Sequence, residues 1–157
     1  MPKKNKIEII VVLDNIRSMH NIGSIFRTCD AIGDCSIFLC GICAQPPNKE
    51  INKTALGATQ NVKWKYFQTT KKALLNLKEK NYNIISIEQA SDSTELNNIS
   101  VKLQKVAVVF GNEVKGISEE ILKLSDKIVE IDQHGMKKSM NVSVVAGIVL
   151  WTIKNKP

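Results

Sequence analysis

Apolar runs rich in β-branched residues alternate along the chain with stretches whose apolar positions recur at helical spacing. Residues 7–13 form a near-continuous apolar run broken only by Glu8, which is typical of a strand covered on both faces. Residues 21–32 follow with helical periodicity, and Gly33 marks the end of that helix. The same alternation predicts strands at 36–39, 62–67, 83–87, 106–110 and 127–131, and helices at 70–81, 118–124 and 140–153.

Two connecting segments carry weaker patterns. Residues 45–48 predict a loop, and a short turn of structure is expected behind it, up to residue 57. Residues 89–100 are polar, with Ser, Asp, Thr and Asn throughout, and predict a loop. Because strands and helices alternate, we expect an α/β fold with a mostly parallel six-stranded sheet and helices on both faces. Ligands of such sheets bind beyond the carboxyl ends of the strands.

The composition is that of one globular domain. The chain has 157 residues, 43% apolar and 24% charged, which excludes a disordered chain or a collagen-like repeat. The uncharged stretch 139–153 is too short and too polar to cross a bilayer, and the first apolar run is too short for a signal peptide. We therefore expect a cytoplasmic protein with no membrane partner.

The charge balance permits a polyanionic partner. There are 22 basic and 15 acidic residues, and all the basic ones are lysines except Arg17 and Arg27. A scattered lysine surplus is usually a solvated face, but lysines that neutralise phosphates also supply sequence-independent affinity for nucleic acid. The eight aromatic residues argue against a stacking platform for single strands.

Four cysteines fall within 15 residues. Cys40 and Cys43 have the spacing of zinc ligands, whereas the alternative is four small buried side chains in a reducing compartment. Cys35 and Cys40 lie at opposite ends of a predicted strand and Cys29 lies on a helix, which does not bring four sulfurs together. We predict no metal site, and disulfides are less favoured still.

The first of three polar clusters follows the first predicted strand, at residues 14–27. Ser18 and Asn21 are both candidates to cap the next helix, and Gly23 would allow close approach of a partner. Arg27 is expected near the apolar side of that helix, which is a poor place for an unpaired guanidinium. A capped helix with a surface arginine and a functional cluster explain this segment equally well.

The second cluster, residues 110–118, contains Gly111 and Gly116 in a Gly-x-x-x-x-Gly pattern. Lys115 precedes the second glycine and no Lys-Ser or Lys-Thr follows, so the geometry that holds phosphates and magnesium is missing. Nothing in the chain matches Gly-x-Gly-x-x-Gly either, and a dinucleotide fold is poorly supported.

The third cluster leads from the sixth predicted strand into the last helix, at residues 131–143. Ser139 alone would be explained as a helix cap. Asn141 and Ser143 are poor helix formers, and their place at the start of an apolar helix favours a functional role. His134 is expected to be an exposed loop residue, and with only two histidines a metal site built on His is disfavoured.

Taken in order, the three clusters resemble the motifs of the SPOUT superfamily of RNA methyltransferases, specifically its TrmH (SpoU) branch of ribose 2′-O-methyltransferases. Asn21, Gly23-Ser24 and Arg27 match the first motif. The second motif is matched by residues 110–117, FGNEVKGI, and the third by residues 139–146, SMNVSVVA. All three occur in the family's order, and the resemblance spans nearly the whole chain.

The resemblance implies a SPOUT fold with a deep C-terminal trefoil knot, an exception to the general absence of knots. It also implies a homodimer that binds S-adenosylmethionine, which becomes S-adenosylhomocysteine, without a metal. The implied catalytic residues are Arg27, Asn21, Ser139, Asn141 and Glu113, of which Glu113 supports its loop. The implied cofactor contacts are Ile87, Gly111, Ile131, Ser139 and Met140.

The implied reaction is methyl transfer to a ribose 2′-hydroxyl of tRNA, which we favour over rRNA. The protein must align the hydroxyl in line with the methyl group and help to remove its proton. Because a guanidinium is a poor base, we expect Arg27 to grip a phosphate of the target and polarise the hydroxyl. In the family, the dimer places this arginine near the other subunit's cofactor.

Larger relatives carry an N-terminal RNA-binding domain or long terminal helices, whereas residues 1–157 predict a single SPOUT domain without a separate RNA-binding domain. RNA affinity would then come from the dimer, from an accessory RNA-binding partner, or from core lysines. The candidate lysines are Lys63, Lys65, Lys137 and Lys138. Three alternatives remain open: a catalytically silent RNA-binding module of the same fold, a base methyltransferase of the same superfamily, and a small-molecule α/β enzyme that uses another nucleotide.

Overall fold

A computed structural model describes residues 6–102 and 104–156 as a parallel sheet with helices on both faces. The strands are β1 (Glu8–Asp14), β2 (Cys35–Cys40), β3 (Trp64–Phe67), β4 (Asn83–Ile87), β5 (Thr94–Glu95), β6 (Lys105–Phe110) and β7 (Lys127–Glu130). The helices are α1 (Met19–Ile32), α2 (Lys49–Ala55), α3 (Thr70–Glu79), α4 (Glu119–Leu124) and α5 (Val142–Asn155), with 3₁₀ turns at Ala58–Gln60 and Leu96–Asn98. The α/β prediction is confirmed.

The sheet has seven strands in the order β3-β2-β1-β6-β4-β7-β5, and every pairing is parallel. The prediction of six strands was therefore wrong. The additional strand, β5, lies in the segment that was predicted to be a loop, where it pairs with β7. Two residues are too few to show a periodicity, so this strand depends on its tertiary pairing; Leu96 and Ile99 behind it are buried.

Each strand of the sheet centre packs on both faces, as the apolar run of β1 predicts. Ile9, Val11 and Leu13 point to a core covered by α1, α2 and α5. Ile10 and Val12 point to a second core covered by α3 and α4. None of the helices in the described residues is long and apolar enough to cross a membrane.

Capping residues explain where α1, α2 and α5 begin. Of the two candidates for α1, Ser18 is the cap: its hydroxyl accepts from the backbone N–H of Asn21, and Asn21 lies inside the first turn. The turn expected after residue 48 is the helix α2, whose cap Asn48 accepts from two backbone N–H groups. Asn141 caps α5 through the backbone N–H of Ser143, and Ser139 precedes the helix.

We expect Gly23→Ala to destabilise the fold by about 1–3 kcal/mol, since overpacking a tight helix contact costs this much. A Cβ at Gly23 in α1 would collide with the Ile51 carbonyl oxygen and the Thr54 hydroxyl of α2. The free energy of unfolding from chemical denaturation measures the effect. The matched control is Gly135→Ala, where a Cβ meets no atom within 4 Å and the change should be under about 0.5 kcal/mol. Equal effects of the two substitutions would contradict the prediction.

Candidate active site

A cavity of about 1180 Å³ opens at the carboxyl ends of β4, β6 and β7, where a parallel sheet is expected to bind its ligand. Its apolar lining comes from Ile87, Phe110, Ile117, Leu122, Ile128, Ile131, Met140 and Val145. Its polar lining includes Asn21, Glu88, Gln89, Asn112, Glu113, Glu130, Lys138, Ser139 and Asn141. An apolar floor with a few convergent polar groups is typical of a cofactor site.

The cavity brings together eight of the nine site residues that the family resemblance implies. They are Asn21, Ile87, Gly111, Glu113, Ile131, Ser139, Met140 and Asn141. Arg27 does not line it. Arg27 lies six residues beyond Asn21 on α1, which is about 9 Å along the helix and on a different side of it.

Arg27 is exposed to solvent, which corrects the expectation that it lies near the apolar side of α1. The buried side of α1 is formed by Ile22, Ile25, Phe26 and Cys29. Arg27 follows directly after Phe26 and therefore turns away from the core. In the described part of the chain, no carboxylate lies within ion-pair distance of its guanidinium.

A chain of side-chain hydrogen bonds joins the three sequence clusters. The Asn141 amide donates to Asn21 Oδ1 at 3.1 Å. The Asn21 amide in turn donates to Glu113 Oε1 at 3.4 Å. Asn141 Oδ1 accepts from the Ser143 backbone N–H at 2.8 Å. Each amide therefore has its orientation fixed by a neighbour from another part of the chain, which preorganises the polar edge of the cavity.

Glu113 fastens the loop behind β6 to the turn before α1. Its carboxylate accepts from the backbone N–H groups of Arg17 at 3.0 Å and Ser18 at 3.1 Å, besides the Asn21 amide. Partial burial opposes ionisation, but these donors outweigh it and lower the pKa of the Glu113 carboxyl below its ordinary value. Glu113 is therefore an ionised acceptor at neutral pH, and this supports the loop role that the resemblance implies.

The loop behind β6 is also held at its other end, by Glu88, which sequence reasoning missed. Glu88 Oε2 accepts from the backbone N–H of Ile117 at 2.9 Å. Gly116 has a φ of +66°, and a Cβ there would collide with the same carboxylate. Only its position could have pointed to Glu88 from the sequence: it directly follows the buried strand β4, at the carboxyl edge of the sheet where the cavity lies.

Gly111 allows this loop to fold back tightly. A Cβ at Gly111 would lie 2.6 Å from Ile117 Cγ1 and 2.8 Å from the Ile117 backbone nitrogen. A side chain at position 111 would therefore collide with the returning loop, and only glycine fits here.

A second pair of asparagines ties the loop to the end of β1. The Asn112 amide donates to the Asn15 carbonyl oxygen at 2.7 Å, and Asn112 Oδ1 accepts from the backbone N–H groups of Val114 and Lys115 at 2.9 Å. Asn15 has a φ of +54°, a left-handed conformation that asparagine tolerates better than most residues. Asn15 was not recognised from the sequence.

The cysteines lie where the pattern placed them. Cys29 is on α1, Cys35 and Cys40 are at the two ends of β2, and Cys29, Cys40 and Cys43 are buried. Cys43 is engaged by the backbone: its sulfur accepts from the Ile16 N–H at 3.2 Å, and its thiol donates to the Leu13 carbonyl at 3.4 Å. Burial raises the pKa of both the Cys40 and Cys43 thiols. Within residues 6–102 and 104–156, no three potential metal ligands cluster.

A sequence model of the SpoU rRNA Methylase family matches residues 8–151. The chain belongs to this family. Two relatives of this SpoU chain are named tRNA (guanosine(18)-2′-O)-methyltransferase. The one from Aquifex aeolicus is 33% identical over 95% of this chain and 70% of its own length, and the one from Thermus thermophilus is 30% identical over 95% and 75%.

The solved structures agree with the SpoU assignment. The AdoMet-bound rRNA methyltransferase from Sinorhizobium meliloti superposes with a TM-score of 0.86 at 25% identity. The match covers 94% of this chain, which spans only 56% of the Sinorhizobium chain. The A. aeolicus TrmH/SpoU tRNA modifying enzyme superposes with a TM-score of 0.83 at 28% identity, over 96% of this chain and 76% of that one. The family resemblance seen in the sequence is thereby confirmed.

We expect Glu113→Gln to lower the free energy of unfolding at pH 7 by about 1 kcal/mol. This is the contribution of a charge-assisted hydrogen bond, reduced because the Glu113 carboxylate is partly exposed to solvent. Because folding lowers the pKa of Glu113, its stabilisation is present above the ordinary value of 4.5 and is lost as the pH falls through the folded-state pKa. Denaturation curves of both proteins between pH 7 and pH 3 should therefore converge at the acid end.

The control for this prediction is Glu79→Gln at the exposed end of α3, which should change the free energy of unfolding by less than about 0.5 kcal/mol throughout. A difference between wild type and Glu113→Gln that does not depend on pH would contradict the assigned role.

Proposed function

We propose that this protein is an S-adenosylmethionine-dependent RNA methyltransferase that methylates a ribose 2′-hydroxyl of tRNA. The observation that carries this is the hydrogen-bonded union of the three motif clusters around one cavity, in a chain of the SpoU family. tRNA is favoured over rRNA because the two relatives at 30% identity or more described above are named for tRNA.

The cavity fits the cofactor. Its volume of about 1180 Å³ exceeds what a ligand of this size needs, and aliphatic side chains from three strand ends offer a surface for an adenine ring. Gly111 lines the cavity and has no side chain, so backbone groups would face the ligand there. We propose that Ile87, Gly111, Ile131, Ser139 and Met140 hold it. When bound, S-adenosylmethionine supplies a methyl group on a sulfonium, which is already activated for transfer.

The residues of the chain then have to position a ribose and handle one proton. Transfer of the methyl group to the hydroxyl oxygen would release S-adenosylhomocysteine as a neutral leaving group, and the hydroxyl proton would pass to solvent water. Asn21, Ser139 and Asn141 lie on the polar side of the cavity, where they can orient that hydroxyl. Glu113 acts through Asn21, since its oxygens are engaged by three donors.

Arg27 serves in this proposal as a phosphate clamp. A guanidinium is a poor base, whereas its planar fork matches a phosphate. It is exposed and lies outside the cavity of its own chain, so it is available to act at a second subunit.

A homodimer would bring Arg27 to that second site. On α5, Val144, Ile148 and Trp151 are 52%, 38% and 64% exposed at i, i+4 and i+7, which makes one apolar stripe. Gly147 lies in the same stripe, and a Cβ there would meet no atom within 4 Å. A glycine that costs helix stability and packs against nothing in its own chain suits the close approach of a partner helix.

The same proposal includes the C-terminal trefoil knot. Its support lies in contacts between the C-terminal segment and the connection between β4 and β6. The Lys156 amine donates to the carbonyl oxygens of Asn97 at 2.6 Å and Ile99 at 2.9 Å, and the Gln89 amide donates to the Lys138 carbonyl at 3.2 Å.

The test of the function is transfer of labelled methyl from S-adenosylmethionine to RNA from cells that lack this enzyme, fractionated by size and digested to nucleosides. We expect label in 2′-O-methylribose of the tRNA fraction, at a linkage that resists alkali because its 2′-hydroxyl is blocked. Asn21→Ala should lower kcat/KM at least tenfold while the cofactor Kd changes less than twofold.

Other outcomes separate the alternatives. An alkali-labile linkage would indicate a base methyltransferase, and label in the large fraction would indicate rRNA. RNA binding with no transfer to any fraction would indicate a silent binding module. Competition for the cavity by ATP or NAD, but not by S-adenosylhomocysteine, would indicate a small-molecule enzyme.

The dimer is tested by complementation between two inactive variants. Arg27→Ala removes the clamp, and Asn141→Ala disables the cavity at a cost of about 1 kcal/mol for the lost cap. If Arg27 acts on the partner's cavity, co-refolded mixtures should recover about a quarter of wild-type activity, because half of the dimers then contain one complete site. Mixtures no more active than either variant alone would show that Arg27 acts within its own subunit.

A further inference from the structure

The net positive charge of this protein is concentrated in one segment, because the basic and acidic residues of the remaining chain nearly balance. Residues 49–82, which contain α2, β3 and α3, carry eight lysines against two glutamates, a net charge of +6 out of +7 for the whole chain. A basic composition usually reflects lysines scattered evenly over the solvated surface, and this chain differs because its surplus of lysines lies in one segment.

This segment forms one edge of the sheet. β3 is the terminal strand, paired only with β2 among the described residues, and Lys65 and Tyr66 on it are exposed. Some of the eight lysines are neutralised locally: Lys53 pairs with Glu50 at 2.9 Å and Lys71 with Glu120 at 3.1 Å.

Three other lysines surround a second cavity, of about 200 Å³, at the amino ends of β1, β2 and β3. Lys63, Lys65 and Lys80 line it together with Phe38, Trp64 and Leu77. In the described part of the chain, no carboxylate lies within ion-pair distance of these three amines. Glu8, which also lines the cavity, already accepts from the Tyr82 hydroxyl at 2.6 Å.

The strand register fixes how far this surface lies from the active site. Lys65 is level with Phe38 on β2, then with Val12 on β1, and then with Val109 on β6. Three strand spacings of about 4.8 Å separate Lys65 from Val109, or about 14 Å. Val109 lies two residues before Gly111, and Gly111 lines the active-site cavity. A ligand that touches both sites must therefore extend over several nucleotides.

We propose that the surface formed by Lys63, Lys65 and Lys80 is a docking site for the RNA backbone, separate from the site that holds the target ribose. This inference rests on the proposed function, since it assumes an RNA substrate. Unpaired lysines around an apolar recess neutralise phosphates while their alkyl stems remain packed. The distance to the active site selects folded RNA such as tRNA over a short strand that carries only the target nucleotide.

The test compares Lys63→Gln/Lys65→Gln with a matched control, Lys102→Gln/Lys127→Gln, which removes two exposed lysines that lie outside residues 49–82. The probe is bulk tRNA from cells that lack the enzyme, and the Kd is measured at several KCl concentrations. We expect the Lys63/Lys65 variant to bind at least fivefold more weakly and to lose about two from the slope of log K against log salt. The control should match wild type within twofold.

Two further readouts identify the cause. Cofactor affinity and kcat at saturating tRNA should stay within twofold of wild type, because neither lysine lines the active-site cavity. Binding of a ribodinucleotide, which is too short to span the roughly 14 Å between the two sites, should be equal in wild type and variant. Adding Lys80→Gln should weaken tRNA binding further.

The inference is overturned if wild type methylates tRNA and both double variants bind it equally well. It is also overturned if the Lys63/Lys65 variant aggregates while its folded fraction binds tRNA normally. In that case the two lysines serve only to prevent the exposed edge strand β3 from pairing with other chains. If wild type neither binds nor methylates any RNA, the proposed function itself has failed, and this result is distinguishable from the other two.

Discussion

Where β6 ends, the Glu113 carboxylate accepts hydrogen bonds from two backbone N–H groups in the turn that leads into α1. A negative charge at this position is also favoured by the positive end of the helix dipole. The same carboxylate orients the Asn21 amide, and through it Asn141 at the start of α5. Glu113 thus holds the turn before α1 directly and the start of α5 through Asn21, and the polar side of the cavity takes its geometry from these bonds.

Most of the fold could be predicted because its central strands are covered on both faces. The apolar runs of β1, β4 and β6 leave few other interpretations, and α1 and α5 have clear periodicity. The strand β5 was missed and the helix α2 was expected only as a short turn, and both outcomes have a common cause. β5 is two residues long, and the helix α2 depends on Asn48 as a cap and on contact with α1. Both elements owe their existence to tertiary partners, which a local pattern does not reveal.

The site was accessible from the sequence in two ways. Asn141 stood out because a polar residue at the start of an apolar helix needs a reason, whereas Asn21 and Glu113 were identified through their match to the motifs of the family. Glu88 and Asn15 carry no such signal, since they act through backbone groups that no motif records. The direction of Arg27 was also mistaken, because its apolar sequence neighbours face the core while it does not.

The bond between Asn21 and Asn141 joins residues 120 positions apart. During synthesis the chain emerges from its amino end, so the loop behind β6 can dock on the turn before α1 well before α5 exists. The last wall of the cavity arrives only with the final helix. A nascent or truncated chain that lacks α5 therefore lacks one wall of the cavity and the cover of one core, so the site becomes complete only after the last helix has been synthesised.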